Sequence, residues 1–325
     1  MHVVKSLEIL NNILHSEPVF LAIGNFDGVH AGHRALIEGL VARSKASGAH
    51  PVVMTFSPHP AQFFGRSAGF KKIDTPSIQR EYLEQLGIHA LLELPFGQDM
   101  ARMTGEEFIR GLSGGIKLRE LTVGSDFRFG KDRACQIDHL RGFASTFGFE
   151  IHIQDLTMAS EKPVSSSLIR SLIAESGELG LVARYLGRNF RLQGVVVTGD
   201  QVGRKLGFPT ANLKITDQII PRSGVYSGRF RVARPTGGAW GESDWYACVM
   251  NIGVRPTVSA TSDLRVEAHA YNAGSGLDLY GETLDVEFFG KIRDEMRFSG
   301  IEALKQQIAN DIATAKKNHL ATLDR

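Results

Sequence analysis

Around residue 187 the spacing of apolar residues changes, and no single layered architecture accommodates both spacings. Before it, from Val19 to Asp155, short apolar runs alternate with helix-length amphipathic stretches, the pattern of a parallel sheet with helices on both faces. Strands are predicted at 20–24, 52–56, 90–94, 121–124 and 150–154, with helices near 32–46, 76–86, 104–112 and 136–147. Thr75-Pro76 marks the start of the second helix, and Thr104 with Glu107 three residues on predicts a capping box for the third. Helical stretches at 166–174 and 179–186 lead out of this half. After Gly187, strands are predicted at 192–198, 225–232, 245–252, 264–271 and 284–289, separated by Gly, Pro and Asp turns. Ile301, Leu304, Ile308 and Ile312 recur at three- and four-residue steps, so residues 300–317 are predicted to form a helix packed on this all-β unit. The expectation is two domains, an α/β domain at 1–186 and an all-β domain at 187–325.

Length agrees, since 325 residues exceed one ordinary core. Hydrophobic residues at 42% and charged residues at 22% supply enough apolar surface for folded cores and argue against long disorder. Lys plus Arg number 37 against 35 for Asp plus Glu, too small an excess for a nucleic-acid or membrane surface. The N-terminal segment MHVVKSLEILNNILHS lacks the apolar run of a signal peptide, and no membrane attachment is expected. Cys135 and Cys248 are too few for a disulfide framework or a cysteine-rich zinc site, so a reducing cytoplasm is the expected home. A monomer is the default expectation.

The first predicted strand runs into Gly24-Asn25-Phe26-Asp27-Gly28-Val29-His30-Ala31-Gly32-His33 and then into a helix. Ligands of open α/β sheets bind at such strand ends. Gly24, Gly28 and Gly32 let the backbone approach a ligand, and the helix N-terminus offers unpaired N–H groups to an anion. The order fits neither GxGxxG nor GxxxxGK[ST]. His30 and His33 can face one ligand and donate to phosphate oxygens that gain charge as a leaving group departs. A metal site is discounted, because no third ligand with suitable spacing follows.

In the second half, Gly199, Gly203 and Gly207 bracket the basic pair Arg204-Lys205, a combination suited to a polyphosphate. Thr210 and Asn212, two apart on an extended segment, face the same side and could share a hard cation such as Mg²⁺. By composition alone a hairpin with turn glycines explains the same string equally well.

The string GNFDGVHAGH carries the motif of the nucleotidyltransferase superfamily and resembles bacterial FAD synthetases. The segments Thr55-Phe56-Ser57-Pro58-His59-Pro60, Val123-Gly124-Ser125-Asp126-Phe127-Arg128-Phe129-Gly130 and Val164-Ser165-Ser166-Ser167-Leu168-Ile169-Arg170 agree with it. GRKLGFPTANL, Pro221-Arg222-Ser223-Gly224, Met250-Asn251-Ile252-Gly253, Val266-Glu267-Ala268-His269 and Asp278-Leu279-Tyr280-Gly281 are similar to riboflavin kinases. Together the two sets resemble the bacterial bifunctional riboflavin kinase/FMN adenylyltransferase family. That resemblance implies a Rossmann-like nucleotidyltransferase domain followed by a Greek-key kinase barrel with a terminal helix. It also implies conversion of riboflavin to FMN and of FMN to FAD, with ATP as co-substrate and Mg²⁺ as cation.

Residue by residue, the resemblance makes Gly24, Phe26, Asp27, His30, Gly32, His33, Ser166, Ser167 and Arg170 the ATP site of adenylyl transfer. His30, His33 and Arg170 would take the catalytic charge. His59, Asp126, Phe127 and Arg128 would line the FMN site. In the kinase half it assigns ATP and flavin to Gly199, Gly203, Lys205, Phe208, Pro209, Thr210, Asn212 and Arg293, the cation to Thr210 and Asn212, and the proton of the riboflavin 5′-hydroxyl to Glu267 as general base. The family continues the Phe-Gly segment through Arg to Gly-Asp, where this chain has Arg133-Ala134-Cys135-Gln136. That departure motivates an alternative, a riboflavin kinase whose N-terminal half binds nucleotide without turnover.

Overall fold

A computed structural model describes residues 1–65, 69–159, 162–198, 210–233, 245–254, 264–272 and 278–323. They divide into two compact units, Met1–Phe70 with Pro76–Ser165, and Lys71–Thr75 with Ser166–Arg325.

The first unit is a six-stranded, wholly parallel sheet in the order β1-β4-β3-β2-β5-β6, from β1 (His2–Val4), β2 (Val19–Ile23), β3 (His50–Ser57), β4 (Ala90–Pro95), β5 (Leu118–Gly124) and β6 (Glu150–Gln154). The helices are α1 (Leu7–Ile13), α2 (Ala31–Ser47), α3 (Pro60–Phe63), α4 (Pro76–Gln85), α5 (Gln98–Arg102), α6 (Gly105–Gly115) and α7 (Ile137–Phe147). Alternate residues of β2 enter different cores. Leu21 and Ile23 join Met54, Leu92 and Ile109 on one face, whereas Phe20 and Ala22 join Ile37, Leu40 and Val53 on the other. The capping box at Thr104 and Glu107 is present at the start of α6. β1 and α1 lie outside the elements predicted from the sequence. A short ribbon, β7 (Met158–Ala159) with β8 (Lys162–Pro163), follows β6.

In the second unit, α8 (Ser166–Ser171), a π turn at Leu172–Ser176 and α9 (Leu179–Leu186) precede a closed antiparallel barrel. Its strands are β9 (Phe190–Val197), β10 (Ala211–Ile215), β11 (Gly224–Val232), β12 (Tyr246–Val254), β13 (Leu264–Ala270) and β14 (Thr283–Arg293), in the order β10-β13-β12-β11-β14-β9. β14 returns beside β11 after the β11-β12-β13 meander, which is a Greek key. Phe190, Leu192, Tyr226, Phe230, Met250, Ile252, Val286 and Phe288 are buried. The terminal helix runs over Ile301–Leu323. Lys71–Thr75 belongs to this unit by hydrogen bonds. Gln218 Nε2 donates to the Ile73 carbonyl at 2.8 Å, and Arg188 pairs with buried Asp74 at 2.6 Å.

Candidate active sites

β2 has β3 on one side and β5 on the other, and the chain proceeds outward from each in opposite directions. A crevice opens at the carboxyl ends of strands where topology switches in this way. Residues 24–30 follow β2 and residues 125–130 follow β5, so both predicted motifs flank the switch point.

The loop after β2 has Phe26 at φ 48°, Gly28 at 86° and Val29 at 39°. Only glycine adopts such values without strain, and strain of ~1–3 kcal/mol per residue persists only where surroundings enforce it. Here Phe26 and Val29 are buried. His30 then caps α2, its Nδ1 accepting from the His33 backbone N–H at 3.4 Å. The two imidazoles stack with centroids 3.7 Å apart, and Phe26 meets His33 edge-on at 5.2 Å. A Cβ on Gly32 would stand 3.3 Å from the His30 ring. Burial pushes His30 down to about 4, and burial together with the neighbouring His30 pushes His33 well below its ordinary value. Both rings are therefore neutral near pH 7, each with one N–H to donate. Among the described residues, buried Nδ1 of His33 has no hydrogen-bond partner. Arg43, near the far end of α2, grips buried Glu120 on β5 through Nε and Nη2 and also donates to Thr122, which pins the helix to the sheet.

His59 caps α3 through Nδ1, 3.0 Å from the Ala61 N–H, and stacks on Phe70 at 4.6 Å. Phe56, Phe63 and Phe64 each meet Phe96 within 5.7 Å, an aromatic group at the ends of β3 and β4 that the sequence reading missed. The adjacent Phe63-Phe64 pair, Phe56 next to the last residue of β3 and Phe96 just after β4 were the available signals. Asp126 and Arg128 are exposed, while Phe127 is half-buried and stacks on Phe129 at 5.3 Å. The unusual stretch Ala134-Cys135-Gln136 closes a turn. Phe129 and Cys135 exchange two backbone hydrogen bonds of 3.1 Å, Cys135 packs on Gly105, and Gln136 precedes α7 as its cap.

Ser166, Ser167 and Arg170 open the second unit on α8, with Arg170 Nη2 3.4 Å from the Ser167 hydroxyl.

On the barrel, register brings the kinase motifs together. Asn212 on β10 lies opposite Glu267 on β13, and Glu267 lies opposite Asn251 on β12. Their neighbours Leu213, Val266, Ala268, Met250 and Ile252 are buried, so alternation turns the three polar residues to the outer face. All three are half-buried. Among the described residues, buried Asn212 Oδ1 has no hydrogen-bond partner. Asn251 lay in a quoted motif but had no predicted role. Its place beside Glu267 follows from pairing between distant strands. Arg293, expected at the flavin, has its guanidinium on Asp311 of the terminal helix through contacts of 2.7–3.1 Å. Gly199, Gly203, Lys205, Phe208 and Pro209 lie outside the described residues.

A family model described as FAD synthetase matches residues 13–168, and one described as riboflavin kinase matches residues 186–319. A bifunctional riboflavin kinase/FMN adenylyltransferase of Escherichia coli K12 is 34% identical over 93% of both chains. A protein of the same description from Pseudomonas fluorescens is 35% identical over 90% of this chain and 91% of its own. Among solved structures, a Streptococcus pneumoniae protein described as a macrolide-efflux protein superposes with a TM-score of 0.83 at 25% identity, covering 97% of this chain and 99% of that one. Among the described residues no helix is long and apolar enough to cross a membrane. With both family models matched in order and curated relatives above 30% identity along nearly its whole length, the chain belongs to the bifunctional riboflavin kinase/FMN adenylyltransferase family.

Proposed function

We propose that this chain phosphorylates riboflavin to FMN with the barrel and adenylylates FMN to FAD with residues 1–186, each reaction using its own ATP. The observation that carries the proposal is that residues 24–33, 59 and 126–128 all lie in the first unit, and Asn212, Asn251 and Glu267 all lie in the second. The paired imidazoles cap α2 at the sheet's switch point, and the Asn212–Glu267–Asn251 row crosses the barrel's outer face.

In adenylyl transfer, the neutral His30 and His33 donate N–H groups to ATP phosphates as pyrophosphate leaves, with the α2 N-terminus adding its dipole. Gly24, Phe26, Asp27 and Gly32 shape the backbone around them. Ser166, Ser167 and Arg170 match the family's nucleotide-binding segment. The FMN phosphate attacks the α-phosphorus, so the chain supplies position and charge and no covalent nucleophile. His59, Asp126, Phe127 and Arg128 hold FMN, and the aromatic group around Phe96 suits its flat ring system. Ala134-Cys135-Gln136 forms a closed turn, and the reading of an active N-terminal half is supported by the match of residues 13–168 to the FAD synthetase model.

In riboflavin phosphorylation, Glu267 accepts the 5′-hydroxyl proton as that oxygen attacks the γ-phosphate. Thr210 and Asn212 offer the hard oxygens that Mg²⁺ requires, and the unpartnered Oδ1 of Asn212 fits that use. When bound, Mg²⁺ neutralises phosphate charge. Gly199, Gly203, Lys205, Phe208 and Pro209 complete the ATP and flavin contacts of the proposal. Arg293 contributes there through the helix it anchors. A cytoplasmic location is proposed, supported by Cys135 and Cys248 being free thiols, with a monomer as the default working unit.

Incubating the purified chain with riboflavin, ATP and Mg²⁺ tests the proposal. FMN should appear first and FAD after it. FMN accumulating with no FAD at any time would select the monofunctional kinase.

A further inference from the structure

Side chains from outside the loop hold the carbonyls that precede His30. Nε2 of Gln79, on α4, donates to the carbonyls of Asn25 and Phe26, both at 2.9 Å. The Thr55 hydroxyl reaches the same Asn25 carbonyl at 3.2 Å. Next to Gln79, Arg80 holds buried Glu93 of β4 through two bonds of 2.7 and 2.6 Å, which fixes this turn of α4 against the sheet. Neither the family motifs nor the sequence reading singled out Gln79.

We propose that Gln79 is a positioning residue for adenylyl transfer, clamping two consecutive loop carbonyls so that the backbone N–H groups on the opposite side form the triphosphate cradle. The inference rests on assigning the loop to ATP. In a trans peptide, C=O and N–H point in opposite directions. Holding the carbonyls of Asn25 and Phe26 on one amide therefore aims the N–H groups of Phe26 and Asp27 away from α4. Successive N–H groups aimed alike make an anion-binding concavity. Phe26 at φ 48° is what brings the two carbonyls onto one donor. Each keeps a second donor, Thr55 Oγ1 for Asn25 and the Val29 N–H for Phe26, both at 3.2 Å. The Gln79 amide is the contact that the two share and that offsets the repulsion of their parallel dipoles.

Two full-length variants separate donation from bulk. Gln79→Met keeps the length and loses the donor, and Gln79→Lys keeps a donor of another shape. In steady-state FAD formation from FMN, Gln79→Met should raise the KM for ATP roughly tenfold or more, as expected for loss of two hydrogen bonds, while kcat changes less. Gln79→Lys should stay within about threefold of the parent in both constants. Riboflavin phosphorylation by the same preparations should be unchanged. Amide hydrogen exchange across residues 25–30 should quicken in Gln79→Met and stay parental in Gln79→Lys. An unchanged KM and exchange rate in Gln79→Met, or a Gln79→Lys as impaired as Gln79→Met, would overturn the clamp. If the parent makes no FAD, the assignment of the reaction fails. The exchange rates then decide the clamp separately.

Discussion

Asn212 and Glu267 stand directly opposite each other on adjacent antiparallel strands, β10 and β13, with both side chains on the outer face of the barrel. Residues paired in this way have Cβ atoms about 5 Å apart. Asn212, proposed to lie on the phosphate side, and Glu267, the proposed proton acceptor, are therefore held at fixed spacing by main-chain hydrogen bonds. Residues that share one site lose their effects non-additively. Glu267→Gln should reduce riboflavin phosphorylation by ~10²–10⁴-fold. Adding Asn212→Ala to it should cost much less than Asn212→Ala costs the parent. Rates from the four-member cycle check this, and strict additivity counts against a shared site.

Acid should weaken the first unit through its histidine pair. Both imidazoles are depressed in the folded chain, His30 to about 4, whereas in the unfolded chain they take protons near 6.5. The neutral form favours folding, so this contribution is complete above pH 6.5 and is lost as pH falls toward 4, by up to ~3 kcal/mol for His30. Urea unfolding followed between pH 7 and 4 should show a steeper fall in the parent than in a His30→Asn variant, where asparagine can still cap the helix. Parallel profiles would show that the pair does not titrate as described.

The terminal helix is tied to the barrel by Arg293 and Asp311, the latter buried and also bonded to Gln307 at 2.9 Å. Removing one partner of a largely buried pair typically costs ~3–5 kcal/mol. Asp311→Ala should lower the unfolding free energy by that order, with Lys305→Ala, whose Glu302 partner is exposed, near neutral. Denaturant melts of both variants measure the difference. Equal, small losses would remove Arg293 as an anchor.

Cutting the chain at residue 187 should damage the kinase half. The fragment 187–325 lacks Ile73, Asp74, Leu179, Val182 and Leu186, all buried, and leaves Arg188 without its Asp74 partner. Leucine-sized losses from a core cost ~2–5 kcal/mol each. The fragment should melt well below the corresponding transition of the whole chain, and 166–325 should fall between them. Scanning calorimetry of the three proteins gives the order.

The sequence made the architecture legible where a period was long enough to read. Five strands of the sheet, five of the barrel and the terminal helix carried such periods. β1, with three residues, carries too few alternations to register as a strand, and β10 follows directly on a Gly- and Pro-rich string that reads equally as a turn. The His30–His33 pair was legible because both residues sit in one turn of chain at a strand end. Asn251 acquires its place only through pairing with a strand 16 residues on, as Asn251 opposite Glu267. Lys71–Thr75 joins the barrel through Gln218, whose hydrogen bond to Ile73 spans 145 residues, and no local pattern encodes such a contact. Gln79 read as an ordinary polar position on a helix, because the carbonyls it holds lie more than 50 residues earlier.

Independence of the two chemistries is the claim on which the rest depends, and paired variants assayed for both products test it most directly. His33→Ala should cut FAD formation from FMN by about a hundredfold or more and leave FMN formation from riboflavin unchanged. Glu267→Ala should do the reverse. A single variant that abolishes both activities while remaining folded would contradict two separate sites.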